Sequence, residues 1–191
     1  MITLVIVSRC RIPNRMKAAS KEIMLFTREQ QEFYRNRVVQ LKDFNDSFEL
    51  VKMAVEAKFK MHRAGISLVL QGLPTNLGAY HVLGSNMIIM NRRILDIIKT
   101  RKSLEEYNSY LFMVLSHEYL HSFGVINESQ VRKMTYDLCI SLFGEDHLAS
   151  LMARYGPWSV FPDLNLFQRY ESEETFEIVR NFDKTTQSYI Y

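Results

Sequence analysis

The stretch Ser103-Leu104-Glu105-Glu106-Tyr107-Asn108-Ser109-Tyr110-Leu111-Phe112-Met113-Val114-Leu115-Ser116-His117-Glu118-Tyr119-Leu120-His121-Ser122-Phe123-Gly124 reads as one helix with a signal at each end. Ser103 is a good N-cap, and Glu106 three residues on completes a capping-box pattern. Leu104, Tyr107, Leu111, Val114 and Leu115 recur at helical spacing. Gly124 is placed to end the helix. Within it, His117 and His121 stand four apart, so both imidazoles project from one face, one turn apart. Two such nitrogens suit a small tetrahedral cation, for which zinc is the usual choice. Glu118 projects beside the first of them, where a carboxylate can take a proton from an attacking water.

The flanking sequence surrounds this helix with further helices and a few short strands. Upstream, the run from Ser20 to about Leu41 is rich in helix formers, and Ile23, Phe26, Phe33, Val38 and Val39 suggest an apolar face. Asn45-Asp46-Ser47 offers caps for a second helix ending near Gly65, with Leu50, Met53, Ala54, Ala57 and Met61 on its face. Ile66 to Leu70 is a strand signal closed by Gly72 and Pro74, and Asn86 to Asn91 is another. The glycine-bounded run Leu77 to Gly84 between them is strand or loop. A short helix is expected over Arg92 to Thr100. Downstream, Asn127 caps a helix from Glu128 to Phe143, stopped by Gly144, and Asp146 starts another that ends at Tyr155-Gly156-Pro157. These elements define an α+β class: one domain over 1–191, with a small, mostly antiparallel sheet packed on several helices. Residues 1–20 and 162–191 are expected as peripheral arms, the latter wrapped on the domain. The helix of His117 should pack beneath the sheet, with the metal in the cleft between them.

Composition narrows the classes. The chain has 191 residues, 47 % of them apolar and 24 % charged, an ordinary globular balance. Its net charge of +3 is too weak to imply nucleic acid unless the charges cluster. No apolar run approaches the roughly 20 residues a bilayer-spanning helix needs. Cys10 and Cys139 lack metal-type pairing, and two distant cysteines define no disulfide framework, so a cytoplasmic location is the expectation.

A third metal ligand is needed. Glu128 opens the helix after Gly124 and can reach back to the two histidines; an acidic residue in a first turn also suits the helix dipole. His147 and Asp137 are the other candidates. Near the site, His81 is a candidate to stabilise an oxyanion, and Tyr80 and Tyr136 are weaker ones. Gly156-Pro157-Trp158 is either a packing anchor or a pocket wall.

The residues His117, Glu118 and His121 resemble the zincin superfamily of metallopeptidases, and with Glu128 the gluzincin type, whose third ligand is a helical glutamate. Gly124 looks like the metzincin pattern, although Asn127 stands where that pattern places a third histidine. The wider stretch from Gly78 through Asn86–Arg92 to His121 looks like small prokaryotic or archaeal zincin-like proteins. The resemblance implies one zinc ion per molecule, held by His117, His121 and Glu128. It also implies Glu118 as general base, a peptide or protein substrate, and an edge strand that holds the substrate by backbone pairing. A weaker resemblance, to the YbeY-like endoribonucleases, agrees at the histidine spacing but departs at Glu118 and Asn127.

Overall fold

The computed structural model describes residues 26–166 and 174–184. Its elements run α1 (Arg28–Val39), α2 (Phe44–Phe59), β1 (Ser67–Gln71), β2 (Ala79–His81), β3 (Met87–Asn91), α3 (Arg92–Arg101) and α4 (Leu104–Ser122). They continue with α5 (Glu128–Phe143), α6 (Leu148–Tyr155), α7 (Pro157–Val160), a 3-10 turn (Pro162–Leu166) and β4 (Phe176–Ile178). The architecture is α+β. The sheet order is β2-β3-β1-β4, antiparallel at β2–β3 and β1–β4 but parallel at its centre, where β1 pairs with β3. The backbone makes the parallel return through β2, which lies outside β3 as an edge strand.

The helix α4 is the axis of the molecule. Its N-terminus closes as the capping box requires: the Ser103 N–H donates to Glu106 at 2.8 Å, and the Glu106 N–H donates to the Ser103 hydroxyl at 3.3 Å. Of its 19 residues, 13 are buried. Burial on most of its circumference puts this helix inside the core, where α4 packs against α1, α2, α3, α5, α6 and the strand β2. Two of its buried polar side chains are bonded to segments outside the helix. Asn108 donates to the Val38 and Leu41 carbonyls, which end α1. The Tyr119 hydroxyl accepts from the Arg63 N–H and donates to the Arg63 carbonyl, both at 2.8 Å.

Several boundaries and faces differ from the sequence reading. Asp43 rather than the Asn45-Asp46-Ser47 run caps α2, its carboxylate accepting from the Asp46 N–H, and Lys60 in a left-handed conformation ends that helix well before Gly65. Asn45 is used elsewhere, donating to the Asn181 and Phe182 carbonyls. On α1 the buried residues are Tyr34 and Val38, whereas Phe33 is 48 % exposed; Met53 on α2 is likewise exposed. Val38 on α1 and Leu50 and Ala54 on α2 are buried as the apolar spacing predicts, while Phe33 and Met53 face outward and Tyr34 takes an inward position. Ile23 and Cys10 lie outside the described residues. His147, not Asp146, caps α6.

The C-terminal segment is joined to the core. Its strand β4 pairs with β1, Phe182 stacks on Phe48 at 4.3 Å, and Asp183 meets Lys52 at 2.6 Å in a buried ion pair. Asp183 also accepts from the Gly65 and Ile66 N–H groups. Among the described residues, no helix is long and apolar enough to cross a membrane.

Candidate metal centre

Three side chains converge where α4 ends and α5 begins. His117 Nε2 and His121 Nε2 are 3.2 Å apart. Glu128 spans the pair, with one oxygen 3.4 Å from His117 Nε2 and the other 3.2 Å from His121 Nε2. Ligands held at 2.0–2.1 Å around a tetrahedral ion lie about 3.3–3.4 Å from one another, so this triangle has the size of a coordination face. These three residues form a His-His-Glu group able to hold a metal ion.

Local backbone chemistry builds the triangle. Gly124 has φ of 84°, the left-handed region where a side chain is strained. The backbone turns there, and the Gly124 N–H bonds back to the His121 carbonyl at 2.9 Å. The turn brings the Val125 carbonyl to His121 Nδ1 at 2.8 Å. An Nδ1–H donated to that carbonyl leaves the Nε2 lone pair of neutral His121 facing both Glu128 and His117. Two lone pairs and a carboxylate meeting at one point repel unless a cation or an additional proton lies among them, and second-sphere bonds of this kind orient metal-binding histidines. Asn127 then caps α5 by accepting from the Gln130 N–H at 2.9 Å, which puts Glu128 at the first position of that helix. Asn127 thus acts through its capping bond, and its neighbour points inward.

The remaining candidates are placed apart from this group. His147 Nδ1 accepts from the Ala149 N–H at 3.2 Å as the cap of α6, and its ring stacks on Phe143. Asp137 pairs with Lys133 at 2.6 Å, one turn away on the same helix. The His81 ring bonds the Ser85 carbonyl through Nε2 at 3.2 Å and is not among the residues that line the groove. Tyr80 does not line the groove either. Tyr136 meets Arg154 instead.

Glu118 is 6 % exposed. Burial pushes its carboxyl up to about 8, Glu128 adds to the rise, and the backbone N–H of His81 opposes it. A divalent ion at the triangle would act in the same direction as that N–H, favouring the carboxylate. Burial lowers the His117 pKa and so favours the neutral, ligating form, with Glu128 opposing.

The group opens on a groove of about 420 Å³ between the β2 edge and the α6–α7 turn. The sheet supplies one wall at Gly78 and Ala79; α4 and α5 form the floor. A Cβ at Gly78 would lie 3.0 Å from the Tyr110 hydroxyl, a tight contact that glycine avoids where β2 approaches α4. The metal group itself lies between two helices with β2 alongside, rather than between α4 and the sheet face. Gly156-Pro157-Trp158 lines the groove, and Trp158 also packs on the core. Tyr110, Arg132 and Arg154 line it too, and the sequence reading missed them. Tyr110 was legible as the residue two turns before His117 on the same face; Arg154 carried no local signal.

No family model, curated protein or solved structure matches the sequence. What fold and site define is therefore an α+β protein with a His-His-Glu group suited to a metal ion.

Proposed function

We propose that the protein is a zinc-dependent hydrolase of peptide bonds, acting on a peptide or protein substrate in the groove. One observation carries the reading: a buried carboxylate, Glu118, stands beside a histidine–histidine–glutamate triangle of coordination size, on the floor of an open groove. Two nitrogens and one carboxylate oxygen are the donor set of zinc peptidases with an open fourth position. A bound zinc would supply Lewis acidity and a more acidic water. Glu118 takes the proton of the attacking water and passes it to the leaving amine. The His81 N–H favours the ionised form of Glu118 that this role needs. On β2, the Gly78 carbonyl and the Val82 N–H bond to β3, so the alternate peptide group of Ala79 faces the groove. An extended substrate can pair there as an added strand.

The test is elemental analysis joined to a peptide-cleavage assay on protein purified without a metal-binding tag. Wild type and Glu118→Gln should each hold one zinc, with turnover lost only in the variant. His117→Ala and His121→Ala should lose the metal. Glu128→Ala should weaken zinc by more than about 100-fold, beyond what outer-sphere changes cost, while His147→Asn leaves it unchanged. Stoichiometric zinc in His117→Ala and His121→Ala, or full turnover in Glu118→Gln, would refute the proposal.

A further inference from the structure

The groove holds one cation that its own carboxylates do not engage. Four charged side chains line it: Glu118, Glu128, Arg132 and Arg154. Glu118 is almost fully buried in the floor, and Glu128 is engaged by the two histidines and by Arg132 Nε at 2.8 Å. Arg154 differs. Its guanidinium lies over the Tyr155 ring at 5.1 Å and the Tyr136 ring at 5.8 Å, and one N–H group reaches the Tyr136 hydroxyl at 3.5 Å. Among the described residues no carboxylate lies within ion-pair distance of it. Two aromatic faces therefore hold the cation in place while most of its five donors remain available, a pre-organised fork for a carboxylate. One stretch of the groove, along Met113, Val114 and Met152, is apolar, and its volume suits a few residues of peptide.

The geometry points to a substrate that pairs a bulky apolar side chain, seated on Met113, Val114 and Met152, with a carboxylate held by Arg154. This rests on the peptidase reading for its class of ligand and adds the selectivity. The carboxylate comes either from the free C-terminus of a peptide or from an acidic side chain, and the experiment separates the two.

Trp158, the single tryptophan of the protein, lines the same groove and reports occupancy without turnover. The probes are N-acetyl-Ala-Phe with a free carboxylate, N-acetyl-Ala-Phe amide, and N-acetyl-Ala-Phe-Glu amide, titrated into zinc-loaded wild type and Arg154→Met. Methionine keeps the length and helix propensity of an exposed position, and an unchanged melting temperature checks the fold. At least one carboxylate probe should bind about tenfold tighter than the neutral amide in wild type, the scale of a solvent-accessible charge-assisted bond. That preference should vanish in Arg154→Met. A preference for the free C-terminus names the terminal carboxylate, and one for the Glu probe names the side chain. Equal binding of all three overturns the proposal, as does a preference that survives Arg154→Met, because the metal group would then be the partner. Preference without hydrolysis refutes the peptidase reading alone; hydrolysis without preference refutes this one alone.

Discussion

His147 is held where a proton works against the fold. Its Nδ1 must carry a lone pair to accept from Ala149, and burial with nearby Arg35 pulls its pKa from 6.5 down to about 4. The folded side chain thus stays neutral over a range where the unfolded one is charged. Stability from this site is complete above 6.5 and is lost as the pH falls from 6.5 towards 4. Asparagine at this position caps without titrating. Urea melts of wild type and His147→Asn at several pH values should show wild type losing about 2 kcal/mol more than the variant over that interval, a magnitude reduced for partial solvent contact. Parallel pH curves would show that the cap does not titrate in this way. The same attention to single atoms explains Asn127 and Glu128. The amide satisfies a helix end and the carboxylate beside it faces the histidines, so two adjacent polar residues divide a structural and a chemical task.

Asn91 connects a loop, a strand and a helix. It is fully buried at the end of β3 and caps α3 through its side-chain oxygen, which accepts from Arg93 and also from the Leu73 N–H. Its amide donates to the Leu73, Pro74 and Leu77 carbonyls. Those bonds hold the loop that leads to Gly78 and Ala79, one wall of the groove. Asn91→Ala should cost about 3 kcal/mol, since several buried backbone groups lose partners at once. It should also weaken peptide binding more than zinc binding, because β2 moves while α4 and α5 do not. Chemical denaturation and titration calorimetry check the two parts. Arg63 does similar service on the other side of the sheet, donating to the Ser122 carbonyl at the end of α4 and to Ser85 and Asn86 in the β2–β3 turn. The edge strand and the helix of His117 and His121 are thus tied through one side chain.

At the scale of the molecule, distant parts of the fold meet through Lys52 and Asp183. Lys52 is 3 % exposed, with Asp183 and Glu49 as its carboxylate partners. Removing one member of a buried pair leaves the other charge with too little compensation. Asp183→Ala should therefore destabilise the protein by about 3–5 kcal/mol, and it also strips the Gly65 and Ile66 N–H groups of an acceptor. A urea midpoint unchanged in this variant would show that the C-terminal segment is dispensable to the core.

The helix of His117 and His121 was legible in sequence because its signals are local. Ser103 with Glu106, Gly124, Asn127 and the four-residue spacing of His117 and His121 each act through bonds spanning a few residues. Glu128 could be placed only among alternatives, because reaching the histidines depends on the turn at Gly124. The exposure of Phe33 and Met53, the parallel pairing of β1 with β3, and the partners Asp183 and Arg154 were not legible. Each depends on which surfaces meet across long stretches of backbone, and a helix shows its apolar residues without showing the neighbour that will cover them. Sequence by itself determined a metal-binding pattern on a capped helix within an α+β protein. Tertiary structure alone decided the triangle's third corner, the wall of the groove and the cation that faces it, because close packing, not local bonding, brings those groups together.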